Sequence, residues 1–138
     1  MKTAIVFASL TGNTKAMAEV LADELNGKAE TDIFDVSSQS FDNPDAYDAI
    51  AFGSPAMGEE VLEEDSFEPM FSTIESSLKG KKVVLFGSYG WGDGQWMRDW
   101  EERCTADGAI VMGTVIAMGA PDDEAVSQLK DLAAEMLK

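Results

Sequence analysis

Two hydrophobic periods alternate along the chain. Five short apolar runs, TAIVFA (3–8), TDIFDV (31–36), AIAFGS (49–54), KVVLFG (82–87) and AIVMGTVIAM (109–118), have the length and composition of strands. The first, third and fourth are nearly continuous, as expected of strands covered on both faces. Between the runs, apolar residues recur at helical spacing. Met17, Val20, Leu21 and Leu25 form one stripe, and Phe67, Met70, Phe71, Ile74 and Leu78 a second. Met97, Trp100 and Cys104 form a third, and Val126, Leu129, Leu132, Ala133 and Met136 a fourth. Asp93 is placed to cap the third helix and Gly108 to end it. The connection 37–48 reads as a loop or a short irregular helix around Pro44. Strands alternating with helices predict right-handed crossovers, a parallel sheet and helices on both faces. The expectation is one doubly wound domain over 1–138, with its ligand beyond the carboxyl ends of the strands.

Three loops follow the strand ends on that edge. The first, SLTGNT (9–14), opens a helix and carries Ser9, Thr11, Asn13 and Thr14 with no cation before Lys15. A helix N-terminus offers unpaired N–H groups and partial positive charge. Four hydroxyl or amide side chains are more than one cap needs, so the loop is either a capped helix start or a cradle for a phosphate dianion. It is neither GxxxxGK[ST] nor GxGxxG. The second loop, SPAMGEEVLEE (54–64), places Met57 beside Gly58. The thioether is either a stray apolar contact or a cover for a flat ring. Gly58 allows the Met57–Gly58 peptide to turn over at low cost. Glu59, Glu60, Glu63, Glu64, Asp65 and Glu68 form a dense acidic rim. The third loop lies in GSYGWGDG (87–94), where Trp91 stands between two glycines. A tryptophan there is either a stacking lid or partial cover for a neighbouring helix. Tyr89 is placed to stack similarly. Trp96 and Trp100, four residues apart, read as packing residues.

The absences narrow the chemistry. There is no histidine and one cysteine, Cys104. That removes a His-dependent triad, histidine metal sites, iron–sulfur clusters and a dithiol couple. Cys104 continues the apolar face of its helix and reads as a buried, inert thiol. Any redox centre must be borrowed. The net charge of −16 disfavours nucleic acid and anionic membranes and favours basic partners. No apolar run is long enough to span a membrane, and MKTAIVFASL runs directly into polar TGNTK, unlike a secretory leader. A reducing cytoplasm is expected.

SLTGNT, SPAMGEEVLEE and LFGSYGWGDGQWMRDWEER together resemble the short-chain flavodoxins of anaerobic bacteria, over essentially the whole chain. The resemblance implies a flavodoxin-like doubly wound α/β sandwich with a five-stranded parallel sheet of order 2-1-3-4-5. It also implies one non-covalent FMN. Carried over by position, Ser9, Leu10, Thr11, Gly12, Asn13 and Thr14 surround the phosphate. Ser54 and Pro55 open the second loop, Met57 covers the inner face of the ring and Trp91 the outer face. Ala56, Gly58, Gly90, Gly92 and Asp93 line the ring edge, with Tyr89 beside them. Glu60 matches the carboxylate beside the pyrimidine N3–H, and Ser88 starts the loop near the ribityl end. Leu10 and Pro55 depart from many relatives, which have Gly and Ser there. The implied role is a low-potential one-electron carrier, moving between semiquinone and hydroquinone, with no metal and no substrate of its own. A turned Met57–Gly58 peptide would offer its carbonyl to N5–H of the ring. A basic-patched redox protein is the expected partner and a monomer the expected state. The competing expectation is a quinone-reductase-type flavoenzyme of the same fold. A receiver domain is excluded, because FASLTG and FGSPAM hold no acceptor aspartate.

Overall fold

The computed structural model describes every residue except Glu59. The sheet has five parallel strands in the order β2-β1-β3-β4-β5. They are β1 (Lys2–Phe7), β2 (Glu30–Asp35), β3 (Ala49–Gly53), β4 (Lys82–Tyr89) and β5 (Ile110–Met118). The helices are α1 (Asn13–Leu25), α2 (Phe67–Ile74), α3 (Gln95–Ala106) and α4 (Asp123–Met136).

The three nearly continuous apolar runs are the three interior strands. On β1, Ala4 and Val6 enter one core and Ile5 and Phe7 the other, because successive side chains alternate between faces. The edge strands β2 and β5 are only half-buried, which explains their weaker hydrophobic signal. Connection 37–48 holds one 3₁₀ turn, Pro44–Ala46. The second helical stripe is shorter than its period suggests. Regular α2 stops at Ile74 and a 3₁₀ turn, Glu75–Ser77, carries the chain to Leu78.

One layer buries Met17, Leu21 and Leu25 of α1 with Leu129, Leu132 and Met136 of α4. The other buries Phe67 and Phe71 of α2 with Trp96, Met97, Trp100 and Cys104 of α3. Each fully buried large side chain is worth about 1.5–3 kcal/mol of transfer free energy. The rings of Phe52, Phe67, Phe71 and Trp100 meet edge to face at 5.3 to 6.3 Å, and Phe67 stacks on Phe71 at 5.9 Å. These contacts lock α2 and α3 under the loops that follow β3 and β4. Burial pushes the Cys104 thiol up to about 12, so it stays an unreactive core residue.

Candidate functional site

The strand order reverses direction between β1 and β3, and the three loops meet there. Backbone bonds stitch them side by side. Ala8 N donates to Gly53 O at 3.0 Å, Ser54 N to Phe86 O at 3.1 Å and Ala56 N to Ser88 O at 2.9 Å.

The N-cap of α1 is Gly12, left-handed at φ 95°, which has no side chain to cap the helix with. Ser9 Oγ accepts from Lys15 N at 3.2 Å. Thr14 Oγ1 is buried and has no partner among the described residues. A buried hydroxyl without a partner costs about 1–3 kcal/mol, so it marks a place built for something else to bond. With no acid in the first turn, the helix dipole is free for an anion. Neither Asn13 nor Thr14 caps the helix, and Ser9 Oγ meets only one of its first-turn N–H groups. Leu10 and Thr11 are exposed at the loop's crest.

The second loop is held at both flanks. Ser54 is fully buried, and its groups are committed internally. Its Oγ accepts from Glu63 N at 2.9 Å, and its carbonyl accepts from Trp96 Nε1 at 3.3 Å. Ser54 thus supports the loop from behind. Pro55, Ala56 and Met57 are half-buried and Gly58 is exposed. Met57 N donates to Val61 O at 2.8 Å, and Val61 N donates to Met57 O at 2.9 Å. The Met57 carbonyl is therefore already occupied. Turning the Met57–Gly58 peptide would break that pair, so the low-cost turn expected there is not available.

The acidic rim is thinner than its sequence implies. Glu63 is 3% exposed and accepts from Asp65 N at 2.7 Å, Ser66 N at 2.9 Å and Phe67 N at 2.8 Å, sealing the entry to α2. Glu68 pairs with Arg103 at 2.7 Å and Glu75 does so at 2.8 Å. The Arg103 guanidinium holds both carboxyls below the usual range. Glu60 reaches across to the start of α3, at Gly94 and Gln95. Glu64 and Asp65 remain exposed, and Glu59 lies outside the described residues.

The third loop carries the freest aromatic ring. Trp91 is 59% exposed, between exposed Gly90 and Gly92. That excludes its use as helix cover. Tyr89 differs from expectation. Its ring packs on Trp96 at 5.4 Å, so it belongs to the support beneath the loop. Ser88 is also structural, donating from Oγ to Gly119 O at 2.7 Å. Asp93 does not cap α3. It pairs with Arg98 at 2.9 Å, while Gly94, with no side chain to cap with, takes the N-cap position and gives its N–H to Glu60. The helix projects Gly94 into that place because its left-handed φ of 90° suits only glycine comfortably.

A groove of about 480 Å³ lies elsewhere, over edge strand β5 between α3 and α4. The three loops instead lie side by side at the strand ends. They hold a buried hydroxyl without a partner among the described residues, a helix N-terminus, a half-buried Met57 and an exposed indole. Such a set of groups suits a flat ligand with a phosphate tail.

Residues 5–135 match the family model for flavodoxin. The chain belongs to the flavodoxin family. It is 46% identical to the flavodoxin of Clostridium beijerinckii over 123 residues, covering 88% of each chain. It is 45% identical to the flavodoxin of Megasphaera elsdenii over 120 residues, 86% of this chain and 88% of that one. The solution structure of two-electron reduced Megasphaera elsdenii flavodoxin superposes with a TM-score of 0.87 at 41% identity, covering 96% of this chain and 98% of that one. Flavodoxins are FMN-binding electron-transfer proteins rather than enzymes, so the quinone-reductase alternative is not favoured. Among the described residues no helix is long and apolar enough to cross a membrane.

Proposed function

We propose that the three loops hold FMN by its two ends, and that the chain carries electrons to and from basic-patched redox proteins in the cytoplasm as a monomer. The observation that carries the reading is the orphaned Thr14 hydroxyl at the uncapped N-terminus of α1, on the same edge as the exposed Trp91.

In this reading Ser9, Thr11, Gly12, Asn13 and Thr14 surround the phosphate with hydroxyls, an amide and helix N–H groups, and no cation is required. Leu10 stands at the crest without a polar contribution. Pro55, Ala56, Met57 and Gly58 border the inner side of the ring, and Gly90, Trp91, Gly92 and Asp93 the outer side. Glu60 offers a carboxylate oxygen to the ring's N–H edge. Bound FMN supplies the one-electron redox chemistry that these side chains lack. The chain's residues exclude water from the ring faces through Met57 and Trp91. They also set a negative surrounding potential, which disfavours added negative charge and lowers the potential of the more reduced state. Glu64 and Asp65, with the net charge of −16, steer basic partners to the loops.

The test is titration of the flavin-free protein with FMN and, in parallel, riboflavin, followed by flavin fluorescence. Stoichiometric quenching by FMN, with markedly weaker binding of riboflavin, is expected. Equal affinity for the two would remove the phosphate cradle, and no quenching would remove the function. Electron-transfer rates to a basic partner should fall as salt rises, and a flat response would remove the steering.

A further inference from the structure

The two edges of the sheet are built differently. β2 carries Glu30, Asp32 and Asp35, charges that deter another strand from pairing there. β5 has β4 on one side and, among the described residues, no strand on the other. Over its nine residues, IVMGTVIAM, it holds no charge and no proline. Ile110 and Met118, at its two ends, are 49% and 63% exposed. One device blunts this edge. The register with β4 shifts opposite Val83 and Val84, leaving Met112 as the extra residue of a bulge. Beyond the bulge, Gly113 to Met118 run in unbroken register with Val84 to Tyr89. Gly119 N donates to Tyr89 O on β4, so by alternation along the strand the Thr114 and Ile116 amides point to the unpaired side.

The groove of about 480 Å³ runs along that stretch. The start of α3 rests on Ile116, since a Cβ on Gly94 would fall 2.9 Å from Ile116 Cδ1. On the other face α4 rests on Gly113, where a Cβ would fall 2.8 Å from Leu132 Cδ1. The two walls differ in chemistry. Met97 and Ile116 make the α3 side apolar. Asp131 and Glu135 make the α4 side acidic. Arg98, also in the groove, already gives its charge to Asp93 at 2.9 Å. Glu135 meets the exposed Lys138 at 2.9 Å, a pair worth at most about 1 kcal/mol, and Asp131 meets no cation among the described residues.

We propose that β5 and these two walls form a second interaction surface, which takes an extended segment of a basic partner protein as a sixth strand. Its backbone pairs with Thr114 and Ile116, and Gly113 to Ile116 offer about 13 Å of pairing length. Side chains of a strand alternate between faces. Apolar residues of the segment therefore turn to Met97 and Ile116, and its Lys or Arg residues to Asp131 and Glu135. A second copy of the chain fits less well. An antiparallel β5–β5 pair in one continuous sheet sets α4 beside α4, so Asp131 and Glu135 meet like charges, and each copy carries −16. The surface is separate from the three loops and stands whether or not they hold FMN.

The test uses the isotope-labelled full chain and a capped synthetic peptide of about six residues alternating Val and Lys, with a Val–Glu peptide as control. Amide NMR should show saturable shifts at Thr114 and Ile116. Hydrogen exchange of those two amides should slow about tenfold at saturation, while β2 amides stay unchanged. The Val–Glu peptide should move neither. Thr114→Pro removes one outward donor, spares the ladder to β4 and should abolish binding. Asp131→Lys, at an exposed position off the strand, should weaken the Val–Lys peptide about fivefold, and it decides the matter if Thr114→Pro fails to fold. Absence of any shift would overturn the surface. Shifts at Asp131 with none at Thr114 and Ile116 would reduce it to loose charge attraction and overturn strand addition. Equal binding of the two peptides, or unchanged affinity in Asp131→Lys, would overturn the basic partner. Protection of the Thr114 and Ile116 amides without peptide, in a protein that sediments as a dimer, would give the groove to a second copy and overturn the proposal.

Discussion

The indole N–H of Trp96 donates to the backbone carbonyl of Ser54 at 3.3 Å, joining α3 to the start of the Met57 loop across 42 residues of sequence. One turn on, the Trp100 indole N–H is equally buried and has no partner among the described residues. Two tryptophans on one helix face therefore differ in chemistry. Trp96→Phe removes a donor and leaves the Ser54 carbonyl unsatisfied, whereas Trp100→Phe removes an unpaired group. Trp96→Phe should cost about 1–3 kcal/mol more than Trp100→Phe in urea unfolding of the flavin-free protein. Equal losses would mean that packing alone sets both positions.

Thr14 should show opposite effects on stability and binding. Thr14→Val keeps the shape and deletes a buried hydroxyl that has no partner among the described residues. Flavin-free Thr14→Val should be as stable as the parent or more so, while its FMN affinity falls about tenfold. Riboflavin affinity should be unaffected, because it lacks the phosphate. A loss of stability with FMN affinity retained would place the hydroxyl in the core rather than at the ligand.

Glu63 is the support under the Met57 loop. It is a buried carboxylate accepting three backbone N–H groups, and its own N–H is anchored on Ser54. Glu63→Ala strands those donors, and about 1–3 kcal/mol should be lost in chemical denaturation, with Glu63→Gln losing less because it keeps one acceptor. Equal tolerance of both substitutions would mean that water replaces the carboxylate freely.

How much the sequence disclosed follows from the range of each interaction. Ile5 and Phe7 facing one core with Ala4 and Val6 facing the other is a local pattern, so the interior strands were legible. The stripe from Met97 to Cys104 was legible for the same reason. Met57, Trp91 and the hydroxyl-rich first loop were legible as candidates because loop residues of those types have no local structural use. Glu60 and Glu63 looked alike in an acidic run. The Glu60 carboxylate meets Gly94, 34 residues away, which no local pattern reveals, whereas the Glu63 carboxylate meets the backbone of Asp65, Ser66 and Phe67 just ahead of it. Asp93 stood at the right offset to cap α3, but the carboxylate of Glu60 already occupied those N–H groups. The bond from Ser88 to Gly119 and the packing of Tyr89 on Trp96 were not legible, because sheet order sets them and local spacing does not encode it. For Glu63 a signal existed, since it stands four positions before the first residue of α2, where an acid suits a helix entry.

The last prediction concerns pH. Burial, and after it the hydrogen bond to Glu75, push the Asp107 carboxyl up from 3.8 to about 6. A carboxyl raised in the folded state stabilises the fold while protonated, and that contribution is lost as pH rises through about 6. Glu68 and Glu75 run the other way. Arg103 holds both below their ordinary value, so their contribution is present at neutral pH and is lost as pH falls below the usual carboxylate range. The two trends oppose each other at one corner of α3, so stability should pass through a maximum in mild acid. Asp107→Asn keeps the shape and removes the first trend alone. Its urea midpoint should exceed the parent's at about pH 7.5 and converge with it at about pH 4, where the parent carboxyl is protonated. A difference independent of pH would show that Asp107 acts through packing or as a cap, and not through its charge beside Glu75.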